Sequence, residues 1–277
     1  HWLAKIFMFT QRVDKSKIYL NHALDIFREI GDRHRQGMVL VGLCSACRRL
    51  AEYTQCRAYG EQALVLLRET GERREEGWVL LELGRASKNL GDYARAKSYL
   101  TSALPLLAET GTLNGEAWTR EHLGGLARTV GDYATARDYL KQSLPLFRQI
   151  REHRSEGRVL VRLGIYSHML GESQAGLTYV REARSLGERI GYLHLQATAL
   201  AVEGRILSDM EQYEQAAAAF RHALDMRHGF IGPIHATIPL AGLAGICLAQ
   251  GDQTQALAVV QEILDSLDEP ATLRHLW

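Results

Sequence analysis

Residues 91–106 read GDYARAKSYLTSALPL, and residues 131–146 read GDYATARDYLKQSLPL. Nearly the same sentence written twice, 40 residues apart, is the mark of an internal repeat, which sets how the rest of the chain is read. Stepping by 40 exposes two kinds of junction. One runs Gly31, Gly71, Gly111, Arg151 and Gly191. The other runs Gly91-Asp92, Gly131-Asp132, Gly171-Glu172 and Gly251-Asp252, with Glu211-Gln212 as the odd member. Glycine just past an apolar-periodic stretch is a helix stop, so each unit holds two helices.

Within the units the apolar pattern keeps register. The first helix carries a leucine and then a small residue: Leu43-Cys44, Leu83-Gly84, Leu123-Gly124, Leu163-Gly164 and Leu243-Ala244. The second carries a small residue and a bulky one four later, as in Ala96 and Leu100, Ala136 and Leu140, or Ala216 and Phe220. These spacings put the residues on one helical face, where small positions let helices approach and bulky ones fill the grooves.

This pattern resembles the tetratricopeptide repeat, a pair of antiparallel helices carrying W-x2-L-G-x2-Y, then A-x3-F, then P. The resemblance covers the chain as a partial repeat at 1–32, units at 33–72, 73–112, 113–152, 153–192, 193–232 and 233–268, and a tail at 269–277. The motif's tryptophan position holds Leu40, Leu80, Arg120, Leu160, Leu200 and Leu240; its tyrosine position holds Cys47, Ser87, Ala127, Ser167, Leu207 and Cys247. The period is 40 and not the usual 34 or so. In this it is similar to Pins-type adaptors, kinesin light chains and bacterial signalling ATPases of the STAND class. The resemblance implies an all-α, right-handed superhelical solenoid. One hairpin cannot bury its apolar face alone, so the copies stack.

Composition narrows the rest. Among 277 residues, 33 Lys and Arg face 32 Asp and Glu, a net charge of +1 that disfavours a general nucleic-acid binder. The longest uncharged run, 229–251, is broken by Gly232, Pro233, His235 and Pro239, so no membrane span is expected. The opening HWLAKIFMFT reads as a cut within a longer chain, not a signal peptide.

Several motifs tempt. Cys44-x-x-Cys47 suggests zinc or redox chemistry, but by register all four cysteines, with Cys56 and Cys247, occupy small buried positions in a reducing compartment. The eleven histidines hold no metal-ligand spacing. Tyr59, Tyr99, Tyr139 and Tyr179 form a ladder that reads as inter-repeat packing. No acid, base or nucleophile constellation converges, so neither enzyme activity nor a cofactor nor a metal is expected. Pro105 and Pro145, at one register position, are expected to bend their helices outward. Arg184 and Glu203 replace leucines on successive helices and are expected to pair as a structural ion pair, the alternative being that each snorkels separately to solvent.

In tetratricopeptide arrays the first helices line the concave face, and that face usually holds the ligand. Carried over by register, the candidate contacts are Arg48, Trp78, Arg85, Lys88, Trp118, Arg128, His168 and Arg205. Further inner-face positions are Met38, Val41, Ser45 and Arg49, then Leu81 and Asn89, Glu121, Gly125 and Thr129, Arg158, Val161, Ile165 and Met169, Thr198, Ala201, Ser208 and Asp209, and, on the uncharged first helix of the sixth unit from about Ile234 to Gln250, Ile238, Ala241, Leu248 and Ala249. Arg48, Lys88, Arg128 and His168 share one position in four successive units, and Trp78 and Trp118 share another. Together they suit an extended acidic or carboxylate-bearing protein or peptide, or a small-molecule effector. The alternative is a solvated face whose charges Glu82, Glu121 and Asp209 satisfy. The apolar sixth unit leaves a further repeat, self-association or an apolar ligand open. The functional expectation is therefore a cytoplasmic binding module, either the sensor array of a larger bacterial signalling protein or a stand-alone adaptor.

Overall fold

A computed structural model describes residues 13–226 and 237–268. The partial repeat before residue 13, the start of the sixth unit and the tail after 268 lie outside the described residues. Among those described there are thirteen helices and no strand. They are α1 (Val13–Ile30), α2 (Arg33–Arg49), α3 (Tyr53–Thr70), α4 (Arg73–Asn89), α5 (Tyr93–Glu109), α6 (Leu113–Thr129) and α7 (Tyr133–Gln149). The rest are α8 (His153–Met169), α9 (Ser173–Arg189), α10 (Leu193–Asp209), α11 (Tyr213–Asp225), α12 (Thr237–Ala249) and α13 (Gln253–Asp268). The chain is an all-α helical-repeat solenoid, and it divides into two compact units, residues 1–146 and 147–277.

The junctions explain the helix lengths. Eight glycines, Gly31 to Gly251, sit at φ between 65° and 83°, the left-handed turn that ends a helix. Ala51, Arg151 and Glu211 adopt the same turn at φ 60°, 56° and 61°. The aspartates that follow glycine cap the next helix: Asp92 accepts from the Arg95 N–H at 3.1 Å, Asp132 from Thr135 at 3.0 Å and Asp252 from Gln255 at 2.9 Å.

In the first unit the core is a continuous row of leucines and small residues, including Leu43, Leu83, Ala96, Leu100 and Leu107. Close approach requires the small positions: a Cβ on Gly84 would lie 2.6 Å from Leu100. Cys44, Cys47 and Cys56 are buried free thiols, with the Cys44 and Cys56 sulfurs 3.2 Å apart across α2 and α3. Cys247, in the second unit, is also free but only half-buried. Tyr59 and Tyr99 are half-buried and reach back one repeat, their hydroxyls 3.4 Å from Asn21 and 3.3 Å from Glu61. Pro105 and Pro145 lie inside α5 and α7 and are exposed.

The second unit follows the same rule. A Cβ on Gly164 would meet Val180 at 2.3 Å and the Gly176 carbonyl at 3.0 Å. Phe220 is buried against Gly204 and Gly242. Along uncharged α12, Pro239, Leu240, Ala244 and Ile246 are buried, whereas Ile238 and Leu248 are exposed.

Candidate binding faces of the first helices

In the first unit, α2, α4 and α6 bring together most of the predicted contacts, and the charges there meet one another. Glu82 on α4 is buried at 2 % exposure and accepts from the Arg48 guanidinium of α2. Arg85, one turn along α4, approaches the same carboxylate at 3.7 Å. The Arg85 guanidinium also lies over the Trp118 ring of α6, 5.5 Å from its centroid, and Trp118 stacks near His122 at 6.1 Å. Trp78 and Trp118 are half-buried against the leucine core. Lys88 lies close enough to α6 that a Cβ on Gly125 would stand 3.0 Å from its amine. Arg128 is exposed and makes no side-chain hydrogen bond or ion pair among the described residues. Arg48 thus has a carboxylate in hand already, the state that the solvated-face alternative describes.

The second unit is built differently. His168 on α8 shares a hydrogen bond through Nδ1 with the Ser173 hydroxyl of α9 at 3.0 Å, and through Nε2 with Asp209 of α10 at 2.7 Å. The imidazole therefore ties three helices together. Glu203 of α10 is buried and held from α9 by two guanidiniums, Arg181 at 2.7 Å and Arg184 at 3.0 Å.

Between α8, α10, α11 and α12 of this unit lies a cavity of about 320 Å³. Its walls are mainly aliphatic: Val161 and Ile165 from α8, Ala201 and Val202 from α10, Ala223 from α11 and Ile238 from α12. Thr198, His194 and Arg205 supply its polar groups, and none of its lining residues among the described ones is acidic. Val161, Ile165, Thr198, Ala201, Arg205 and Ile238 are inner-face positions of the sequence register. His194, Ala197, Val202, Ala223 and Pro239 are not, and Ala223 comes from a second helix, α11. The size falls at the lower end of ligand pockets, about 300–1,000 Å³.

Two segments, residues 88–149 and 197–227, match sequence models of the tetratricopeptide repeat. The fold is that of a tetratricopeptide-repeat array. No curated protein matches the chain significantly. Among solved structures, the array is similar to a Signal Transduction ATPase with Numerous Domains (STAND) protein with a tetratricopeptide repeat sensor from Pyrococcus horikoshii, with a TM-score of 0.76 at 15 % identity, covering 99 % of this chain and 42 % of that one. It is similar to apo RapI, TM-score 0.68 at 15 % identity, covering 96 % of this chain and 95 % of that one. A Rap protein complexed with competence and sporulation factor is matched at a TM-score of 0.62 and 12 % identity, over 98 % of this chain and 74 % of that one. At these identities the likeness shows the fold alone, a helical-repeat scaffold.

Among the described residues, no group of three or more His, Cys, Asp or Glu is placed to hold a metal, and no helix is long and apolar enough to cross a membrane.

Proposed function

We propose that the chain is a non-enzymatic sensing array that binds a segment of a partner protein on the exposed faces of its first helices, as the regulatory arm of a larger bacterial signalling protein. The observation that carries this reading is the cavity of the second unit. The first helices α8, α10 and α12 supply most of its wall, and it is apolar with a few polar groups, the composition of a recognition pocket. The likeness to a STAND sensor over nearly the whole chain supports the regulatory role. The adaptor reading draws on a different observation, that RapI matches over 95 % of its own length, so an array of this extent can make up nearly a whole solved chain.

Two experiments test the proposal. Peptides selected by display on the folded chain are expected to lose binding when Thr198→Trp fills the cavity, with the melting transition kept; selected peptides indifferent to that substitution would move the site elsewhere. The native reading frame on either side decides between sensor and adaptor. A G-x-x-x-x-G-K-[ST] segment between a strand and a helix upstream supports the nucleotide-switch context, and flanks without one support the adaptor.

A further inference from the structure

Helix α13 carries an apolar stripe that is open to solvent among the described residues. Leu257, Val260 and Leu264 are 71 %, 41 % and 50 % exposed. Spacings of three and four put them on one helical face. Stepping back 40 residues to α11, the equivalent positions hold Ala217, Phe220 and Leu224, of which Ala217 and Phe220 are buried. On α9, a further 40 back, Leu177 and Val180 are buried too. Neither α9 nor α11 leaves a large apolar side chain exposed. By register, then, the stripe is a packing surface. What covers such a surface is visible one unit earlier, where Phe220 lies against Gly204 of its own hairpin and Gly242 of the following first helix, α12. The stripe on α13 is shaped to receive a helix that presents a small residue to it.

Charge says which helix. Residues 237–268 hold Asp252, Glu262, Asp265 and Asp268 and no Lys, Arg or His. The last turn of α13 has no basic residue either, so the negative end of the helix dipole adds to the acids of that segment. We infer that this face docks an amphipathic helix of another protein, with an apolar stripe on Leu257, Val260 and Leu264 and Lys or Arg on its flanks. A second copy of this segment would bring acid to acid, which opposes docking. None of the three residues lines the cavity of the second unit, so the inference stands apart from the function proposed above.

The test is fluorescence anisotropy of labelled peptides titrated with the folded 277-residue chain. The probes are a helical peptide of leucine and lysine, with its leucines on one face, and the same peptide with glutamate for lysine. The lysine peptide is expected to bind at least tenfold more tightly than the glutamate one, and to weaken as salt rises. Leu257→Asp with Leu264→Asp is expected to keep the melting transition and lose at least tenfold in affinity. Leu257→Ser, a milder change, is expected to weaken binding in the same direction. Ile18→Asp, at an exposed apolar position of α1, and Thr198→Trp, in the cavity, are expected to leave it unchanged.

Equal binding of the two peptides overturns the charge assignment, and equal loss in Ile18→Asp overturns the site. No binding of either peptide overturns the inference. A chain that sediments as a dimer, and as a monomer once Leu257→Asp and Leu264→Asp are introduced, gives the face to a second copy. Binding that emerges only when residues 269–277 are removed gives it to that segment, which includes Arg274 and His275. Either of these last two results also overturns the inference.

Discussion

Glu203 stands where five other first helices carry leucine, and Arg184 stands where five second helices do. Sequence register shows both departures but not their geometry, because the partners are on different helices. The structure puts the Glu203 carboxylate, at 7 % side-chain exposure, against Arg181 as well as Arg184. Arg181 is out of the leucine register and gave no signal in the pattern. A buried carboxylate stripped of both cations is costly, whereas apolar replacement of the whole pair is not. We expect Arg181→Ala with Arg184→Ala to lower urea stability by about 3 kcal/mol, and Glu203→Leu with Arg184→Leu to stay within about 1 kcal/mol of the parent. The thiols make a second residue-scale case. Burial pushes the Cys47 thiol up to about 12, and the hydrogen bond with Cys56, then burial, pushes Cys44 well above the usual range. A raised thiol pKa means that the reactive thiolate is absent at pH 8. Iodoacetamide is therefore expected to modify half-buried Cys247 in the native chain, and Cys44 and Cys47 only after unfolding. Mass spectrometry of the alkylated peptides reads this directly, and fast native labelling of Cys47 would contradict the burial.

At the scale of the element, the repeat is legible because each junction imposes the same backbone turn. Arg151 and Glu211 look like breaks in the glycine register, yet both adopt the left-handed conformation their equivalents use. The pattern of side chains lapses there while the demand on the backbone does not. A non-glycine residue in that conformation costs about 1 kcal/mol, so Glu211→Gly is expected to raise stability by about that much in a denaturant melt. Helix packing makes the converse demand. Gly164→Ala drives a methyl into Val180 and the Gly176 carbonyl, and is expected to cost about 1–3 kcal/mol. Gly245, on α12, has nothing within 4 Å of its would-be Cβ, so Gly245→Ala is expected to gain about 0.5–1 kcal/mol from helix propensity. Equal effects at the two glycines would mean that the close approach of α8 and α9 is not what selects glycine there.

For the molecule as a whole, the sequence exposes the fold more completely than the site. A period kept through every unit fixes how many hairpins stack and which helix of each is first. It also tells which residues share the first helices' open face, and six of the cavity's lining residues come from that prediction. What a register cannot tell is how far apart neighbouring faces stand or which charge meets which. Arg48 finds Glu82, 34 residues on, and His168 finds Asp209, 41 residues on, so the evenly spaced cations have unequal surroundings. The cavity is lined by Ala197 and Ala201 of α10 and Ala223 of α11, each unexceptional in the pattern, and its wall is complete only where four helices meet. The central claim, that the first helices bind and the second helices support, is tested most directly by hydrogen exchange of the chain with and without a display-selected peptide. Added protection is expected in α8, α10 and α12, around Val161 to Ile165 and Thr198 to Arg205. Protection confined to α9, α11 and α13 would contradict it.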